Sequence, residues 1–316
     1  MLHLLYMEIK MRENSKRQGK YRDSGGIKPW LFLLPTILVI TFWLIKPLIQ
    51  TLVYTFYDWN MLPGTTPEIV GLQNFYDLFQ APEFGSAIKN TFYYILMMIP
   101  FAVIIPLMIA ALIQNLNSKS QRIYRALIFF PMIMPPVATG TVFQWLLHQT
   151  NGLINHVLMS LGMIDNGINF FMEEDWARLV IALISGWKMI GFATLMFSSS
   201  IGNINPEYYE AAKMDGSGGI RRFLDITIPL LSPTVMLMLM MSILFASQWT
   251  FTNIDMLTQG GPYGTSTNIY YMIYKYAFGN SNVGLSAVAS LVFLVIFGII
   301  ALLLQALSKK LAFYDN

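Results

Sequence analysis

Few of the residue types that carry out covalent chemistry occur in this sequence. It has no cysteine and three widely spaced histidines, His3, His148 and His156. This supply excludes disulfide frameworks, thiolate metal sites and a histidine-rich metal centre. The glycine-rich stretch 215–219 lacks the Lys-Ser/Thr pair that completes a phosphate-binding loop, so we interpret it as a joint between helices. We therefore expect neither catalysis nor a bound cofactor on this chain.

A second group of residues has the chemistry to bind a solute. They are polar or aromatic side chains within apolar runs: Gln144, Trp145, Lys188, Gln248, Trp249 and Asn253. Hydrogen-bonding side chains and aromatic rings together suit a polar solute that also has an apolar face. Tryptophans also form interfacial belts or pack between helices, and glutamines also bond neighbouring helices, so both interpretations stay open. Lys188 needs a partner or water at mid-span, which predicts that it faces the interior, towards substrate, another subunit or a helix C-terminus.

The elements that position these side chains are predicted to be membrane-spanning helices. Of 316 residues, 55% are hydrophobic and 12% are charged, about half the charged fraction of a soluble domain. This composition, with a mean hydropathy of +0.53, excludes an ordinary soluble enzyme, a disordered chain and a fibrous protein. Six charge-poor runs are long enough to cross a bilayer, at about 30–57, 91–113, 126–147, 176–200, 228–251 and 284–307. We expect an all-α membrane protein with a six-span membrane domain over 30–308 and short tails at 1–29 and 309–316.

Basic residues are concentrated on one predicted side of the membrane. Seven lie in the N-terminal tail, three follow the second span, three follow the fourth and two end the chain. The opposite loops hold only Lys275 and are otherwise acidic or neutral. The positive-inside rule then places both termini in the cytoplasm. The basic tail is interpreted as an anchor on anionic headgroups, and no nucleic-acid partner is expected.

The loop after the fourth span, about 201–229, has the signals of a short helix outside the membrane. Asn205 suits the N-cap, Pro206 the first turn, and Glu207 the positive end of the helix dipole. Asp215 and Gly216 are predicted to end the helix, with the glycine in a left-handed conformation. A second amphipathic piece follows over 220–226. Two short helices at an angle suit docking of another protein, although an interfacial loop can also hold a capped helix.

Several motifs in the chain resemble those of ABC importer permeases of the carbohydrate branch. Glu210-Ala211-Ala212, followed by Gly216 and Ile226-x-Ile228-Pro229, resembles their EAA motif, with isoleucine 228 in place of the usual leucine. Further segments are similar to those of sugar and glycerol-3-phosphate permeases. These segments are 71–75, 129–131 with 135–136, 145–147, 152–155 and 258–262 with Thr267. The resemblance covers roughly residues 30 to 310.

The resemblance implies one half of a transporter with the type I ABC importer permease fold. It implies a second permease subunit, a cytosolic ATPase dimer that binds ATP and magnesium, and an external solute-binding protein that delivers a sugar. The implied ATPase-docking residues are Glu207, Glu210, Ala211, Ala212, Asp215 and Gly216. Glu210 would contact a basic ATPase groove, and Gly216 would allow the turn. The implied location is a bacterial or archaeal plasma membrane.

Two other functional classes could also use a multi-span chain. A stand-alone secondary transporter or channel usually shows an internal repeat and intramembrane acids, and the sequence has neither pattern. An intramembrane enzyme needs a nucleophile–base pair or metal cluster within the spans, and none is apparent. The sequence thus favours the importer permease.

Overall fold

The computed structural model describes residues 28–311, which are mostly helical. They fall into two units, residues 28–53 and the chain from Tyr54 onward, and each is treated by itself. Most of both predicted tails, and with it His3, lies outside the described residues. The first unit is helix α1, which begins with Lys28–Ile40, widens into a π turn at Thr41–Ile45 and continues as Lys46–Tyr54.

The second unit contains the remaining elements, which alternate long and short helices. Two short strands, β1 Tyr57–Asp58 and β2 Glu68–Ile69, pair antiparallel ahead of the helices. The helices are α2 Gln73–Gln80, α3 Pro82–Gln114, α4 Ser118–Ile133, α5 Pro136–Leu146, α6 Leu153–Ser160, α7 Glu174–Gly202, α8 Pro206–Met214, α9 over 219–230, α10 Ser232–Thr258, α11 Ile269–Tyr274 and α12 Val283–Leu311.

Five of these helices, α1, α3, α7, α10 and α12, are long and apolar enough to cross a bilayer. Helices α4 and α5 pass the same test as a pair, but they are bent by 90° at the break between them. The third span predicted over 126–147, with prolines expected to kink it, therefore corresponds to this bent pair and not to one straight helix. Pro135 and Pro136 lack the amide hydrogens that would carry the helix through, and residues before proline favour an extended backbone, as Met134 shows with φ −62° and ψ 131°.

The structural helices are also longer than the charge-poor runs. Helix α3 begins at Pro82, nine residues before the predicted second span, because Pro82 suits a first turn and Glu83 suits its positive end. Helix α10 extends to Thr258, beyond the predicted end of the fifth span. A charge-poor run indicates the part of a helix that lies in the apolar layer of the membrane, whereas caps and turns determine where the helix ends.

Three π turns precede prolines in the same way. The turns are Thr41–Ile45, Pro100–Ile104 and Phe223–Thr227. In each, the amide of the residue after the turn donates to the carbonyl of the turn's first residue, and that donor is followed by a proline, Pro47, Pro106 or Pro229 respectively. A proline inside an α-helix clashes with the carbonyl four residues before it and cannot donate to it. The wider turn moves that carbonyl away, so the helix continues past the proline.

Helix α7 is the most buried of the long helices, and over half of its most apolar 18-residue stretch is buried inside the protein. Its Met189, Ala193 and Phe197 form a core with residues of α3 and α10. Gly191 permits a close approach to α4, because a Cβ there would lie 2.6 Å from the carbonyl oxygen of Ile128. The side chains of α7 therefore contact mainly the neighbouring helices.

Buried asparagines fasten the loops at one end of the helices. Asn74 donates to the carbonyls of Thr55 and Tyr57, at 3.0 and 2.9 Å. Asn155 donates to the carbonyls of His148, Gln149 and Ile168 and accepts from the Ile168 amide, so its side chain joins the two ends of the 148–168 segment. Both residues belong to the motif segments noted in the sequence, and their role is to hold irregular backbone whose polar groups would otherwise be unpaired.

Candidate docking loop and transport path

The loop between α7 and α10 forms the predicted short helix. The side chain of Asn205 accepts a hydrogen bond from the Glu207 amide at 3.1 Å, and Pro206 is the first helical residue. The predicted N-cap is therefore confirmed. Glu207 lies in the first turn and Lys213 in the last, so both charges oppose the helix dipole favourably.

The C-terminus of α8 has the geometry of a Schellman motif. The Ser217 amide donates to the Ala212 carbonyl at 2.9 Å, and the Gly216 amide donates to the Lys213 carbonyl at 3.1 Å. Gly216 adopts φ +76°, as predicted, and no atom lies within 4 Å of the place where a Cβ would be. The glycine is needed for its backbone conformation and not for space.

Side-chain hydrogen bonds join the short helices to each other and the ends of two long helices to each other. The Tyr209 hydroxyl and the Thr227 hydroxyl are 2.9 Å apart, which ties α8 to α9. The Thr234 hydroxyl donates to Ser200 at 2.8 Å and joins the start of α10 to the end of α7.

Five of the six predicted docking residues are exposed, namely Glu207, Glu210, Ala211, Asp215 and Gly216, and Ala212 is half-buried. The same loop also exposes two large apolar side chains that were not among the predicted docking residues. Met214 is 88% exposed and Ile220 is 80% exposed. Large apolar side chains at the tip of a polar loop are suited to a protein partner, and their isolation in the polar run 205–222 was a signal that could have identified them.

Lys188 lies at the break of the bent pair. Its ammonium donates to the carbonyl of Met134 at 2.8 Å, and the side chain is half-buried. Met134 is the C-cap residue of α4 and has an extended backbone, so its carbonyl has no donor within the helix. The expectation that Lys188 faces the interior is confirmed, and its partner in the described chain is a helix C-terminus.

The candidates on α10 differ in environment. Asn253 is buried and donates to Ser185 at 2.8 Å, so its amide joins α10 to α7. Trp249 is half-buried and stacks on Phe245, with ring centroids 4.6 Å apart and 17° between the planes. Gln248 is exposed. Asn253 therefore has a structural partner, and Gln248 remains available to a solute or a neighbouring subunit.

The candidates on α5 are on its surface. Gln144 is exposed, and Trp145 is 78% exposed. Helix α5 touches α10 through Gly140, where an added Cβ would lie 3.1 Å from the sulfur of Met256. The six path candidates thus occupy both buried and exposed positions, and their arrangement is not that of one preformed pocket.

At the opposite end of α10, the 259–268 loop is held by buried polar groups. Asn90 donates to the carbonyls of Gly264 and Thr267, and the Tyr94 hydroxyl donates to that of Ser266 at 2.9 Å. Tyr263 projects from this loop and is 96% exposed. A rigid loop with an exposed ring presents a fixed contact at this end of the molecule.

Burial raises the pKa of the Tyr276 hydroxyl, and this hydroxyl donates a hydrogen bond to Glu83 at 3.0 Å.

No group of three or more His, Cys, Asp or Glu side chains suited to a metal ion occurs among residues 28–311.

Comparison with known proteins identifies the architecture. The family described as the binding-protein-dependent transport system inner membrane component matches residues 107–313, well over half of the chain. The chain is 33% identical over 257 residues to the sulfoquinovosyl glycerol transport system permease protein SmoG of Agrobacterium fabrum, covering 81% of this chain and 82% of the relative. It is 28% identical over 283 residues to the sn-glycerol-3-phosphate transport system permease protein UgpA of Pectobacterium atrosepticum, covering 89% and 94%. Among solved structures, a bacterial alginate ABC transporter in complex with an alginate pentasaccharide-bound periplasmic protein contains a chain with a TM-score of 0.80 and 25% identity, covering 90% of this chain and 96% of that one. The chain therefore belongs to the family of binding-protein-dependent transport system inner membrane components.

Proposed function

We propose that this protein is a permease subunit of an ATP-driven importer for a sugar, an oligosaccharide or a related polyol phosphate. It has six spans, with the bent pair α4 and α5 counted as one, and it forms the translocation path with a second permease. Both termini and the α8–α9 loop are cytoplasmic, as the distribution of basic residues indicates. The permease domain spans 30–308.

The observation that carries the proposal is the exposed, doubly capped helix α8. Its ends are held by Asn205 and Gly216, its inner side is bonded through Tyr209, and its outer side presents Glu210 and Met214 to solvent. A helix fixed in this way can fill a groove in a partner and move with it as a rigid body. We assign the groove to a cytosolic ATPase dimer that binds ATP and magnesium, so this chain itself carries neither.

The opposite end of the molecule is proposed to receive a solute-binding protein. The loop 259–268 supports this role because it is rigid and exposes Tyr263. Tyrosine is favoured at protein interfaces because its ring buries a large area at a small entropic cost. The periplasmic partner of the alginate transporter is consistent with such a docking step.

The class of substrate is inferred from the relatives. Their names specify glycerol-3-phosphate and sulfoquinovosyl glycerol, and the similar solved structure is an alginate transporter. All are hydroxyl-rich solutes, which agrees with a path lined by amide and aromatic side chains such as Gln144, Gln248 and Trp249. We propose these three, with Trp145, Lys188 and Asn253, as the path residues.

Reconstitution distinguishes this function from that of a stand-alone transporter or channel. Labelled sugars and glycerol phosphate are offered to liposomes that contain this chain alone, or this chain with its second permease, ATPase and binding protein. We expect uptake only in the complete assembly and only with ATP. Uptake by this chain alone, without ATPase, would overturn the proposal.

A further inference from the structure

A cavity of about 800 Å³ lies at the end of the helices that carries α8. Its walls are the last turns of α3 and α7, and its floor is made by α8 and α9. This volume lies within the range of small-molecule sites in proteins. In the proposed orientation, the cavity sits where the spans reach the cytoplasmic headgroups of the bilayer.

The lining of the cavity is apolar on one side and polar on the other. Met108, Leu112 and Ile201 contribute apolar surface from the membrane helices, whereas Tyr209 and Arg222 belong to the short helices. No carboxylate is among the described residues that line it. The cavity therefore combines a hydrocarbon wall with one positive charge, which suits an amphiphilic anion.

Arg222 is the charge in question, and its neighbour behaves differently. Arg221 is exposed and pairs with Asp225 at 3.2 Å. Arg222 is half-buried, makes no ion pair within residues 28–311, and its Nε is buried without a hydrogen-bond partner. A buried guanidinium nitrogen without an acceptor is costly, so a ligand oxygen at this position would be stabilising.

We propose that this cavity binds an anionic phospholipid of the cytoplasmic leaflet, with its phosphate on Arg222 and an acyl chain along Met108, Leu112 and Ile201. Basic pockets between membrane helices on the cytoplasmic side are suited to anionic headgroups, and the charge and apolar wall here match the two parts of such a lipid. The assignment of the leaflet rests on the orientation given under the proposed function.

The bound lipid touches both the span ends and the short helices. It therefore fills the space between α8 and the bundle and restrains how α8 moves relative to α3 and α7. Coupling between this loop and the spans then depends on the anionic lipid content of the membrane.

The test measures lipid retention by the full chain, purified from bilayers of equal parts phosphatidylglycerol and phosphatidylcholine and analysed by native mass spectrometry. The wild type is expected to retain phosphatidylglycerol in preference. Arg222→Gln is expected to weaken this retention about tenfold, because a charge-assisted contact is lost. Arg221→Gln is the matched control and is expected to behave as the wild type, because its partner is Asp225.

Two further arms keep the test decisive. Ala111→Trp fills the cavity without changing charge and is expected to expel the lipid even if Arg222→Gln unfolds the loop. Inorganic phosphate alone is expected not to displace the lipid, since it cannot occupy the apolar wall. Equal retention by wild type, Arg222→Gln and Ala111→Trp, or complete displacement by phosphate, would overturn the proposal. No sugar or ATPase is needed, so a failure of the importer function would not produce these results.

Discussion

Lys188 illustrates how a single charge is accommodated inside an apolar helix. Its ammonium bonds the Met134 carbonyl, the group that the Pro135–Pro136 break leaves without a helical donor. The ammonium and the carbonyl each gain the hydrogen-bond partner they would otherwise lack. This is stabilising because an unpaired charge and an unpaired carbonyl are both costly away from water. At this scale, function depends on which side chains are already occupied by the fold and which remain open.

Replacing Lys188 separates a structural role from a substrate role. We expect Lys188→Met to destabilise the protein by about 2 kcal/mol through loss of a charged hydrogen bond. Lys188→Arg is the matched control and is expected to restore stability, since a guanidinium can reach the same carbonyl. The readouts are the melting temperature of the purified complex and its uptake of several labelled sugars. Unchanged stability with altered selectivity in Lys188→Met would show that the side chain serves the substrate and not the break.

Reversing the charge of Glu210 tests the docking assignment. Glu210 is exposed on α8, so Glu210→Lys is expected to leave insertion intact while lowering ATPase co-purification and uptake at least tenfold, by repulsion from a basic groove. Glu68→Lys, an exposed glutamate of β2, is the control and is expected to retain the ATPase. Normal uptake by Glu210→Lys at equal membrane abundance would remove Glu210 from the docking surface.

The need for partners at single residues was predictable, but the partners themselves were not. A mid-span lysine must have an acceptor, and the sequence indicated an interior position for Lys188. That the acceptor is Met134 depends on the 90° bend, which brings residues 54 positions apart into contact. The exposed Met214 and Ile220 were missed because single apolar residues in loops are common and acquire meaning only when exposure is known.

At the scale of elements, caps and prolines explain where the helices begin, widen and stop. The cap signals of α8 were local and were predicted correctly, because the Asn205 and Gly216 geometries involve neighbours within a few residues. The boundaries of α3 and α10 were not predicted correctly, since a charge-poor run marks only the part of a helix that lies in lipid. The π turns were not predicted, because they arise from the clash between each internal proline and the carbonyl four residues before it.

The left-handed turn at Gly216 gives a graded prediction. Alanine there costs about 1 kcal/mol, and valine costs more because a β-branched side chain is further disfavoured at positive φ. We expect ATPase docking to fall in the order wild type, Gly216→Ala, Gly216→Val. Gly218→Val is the control, because Gly218 has φ −69° and ψ 164°, which valine adopts readily. Equal docking by the two Gly216 variants would show that the positive φ is unimportant for assembly.

At the scale of the whole molecule, α10 connects the two ends at which partners are proposed to bind. It starts directly after α9, where Thr234 bonds Ser200 at the end of α7, and it ends beside the 259–268 loop, where Thr258 bonds Ser266. Between Ser232 and Gln248 the helix rises about 24 Å, so the path candidates are well removed from the docking helix. Transport and docking are therefore expected to respond separately to substitutions along it.

Substitutions at Gln248 and Trp249 test this separation. We expect Gln248→Ala and Trp249→Ala to lower sugar uptake severalfold while ATPase co-purification stays at the wild-type level. Glu210→Lys is the reciprocal control, since it is expected to reduce co-purification. The measurements are uptake of labelled sugars and the amount of ATPase recovered with the permease. Wild-type uptake and selectivity in both variants would place the path on other faces of α10.

The proline-associated π turns also affect how this chain is aligned with its relatives. A π turn contains one residue more than the α turn it replaces, and one residue corresponds to about 100° of rotation about the helix axis. Beyond Pro47 or Pro106, every side chain is rotated by that amount relative to a helix without the extra residue. A relative that lacks the proline is therefore expected to be one residue shorter at that point, and an ungapped alignment would assign lipid-facing positions to the wrong side of the span.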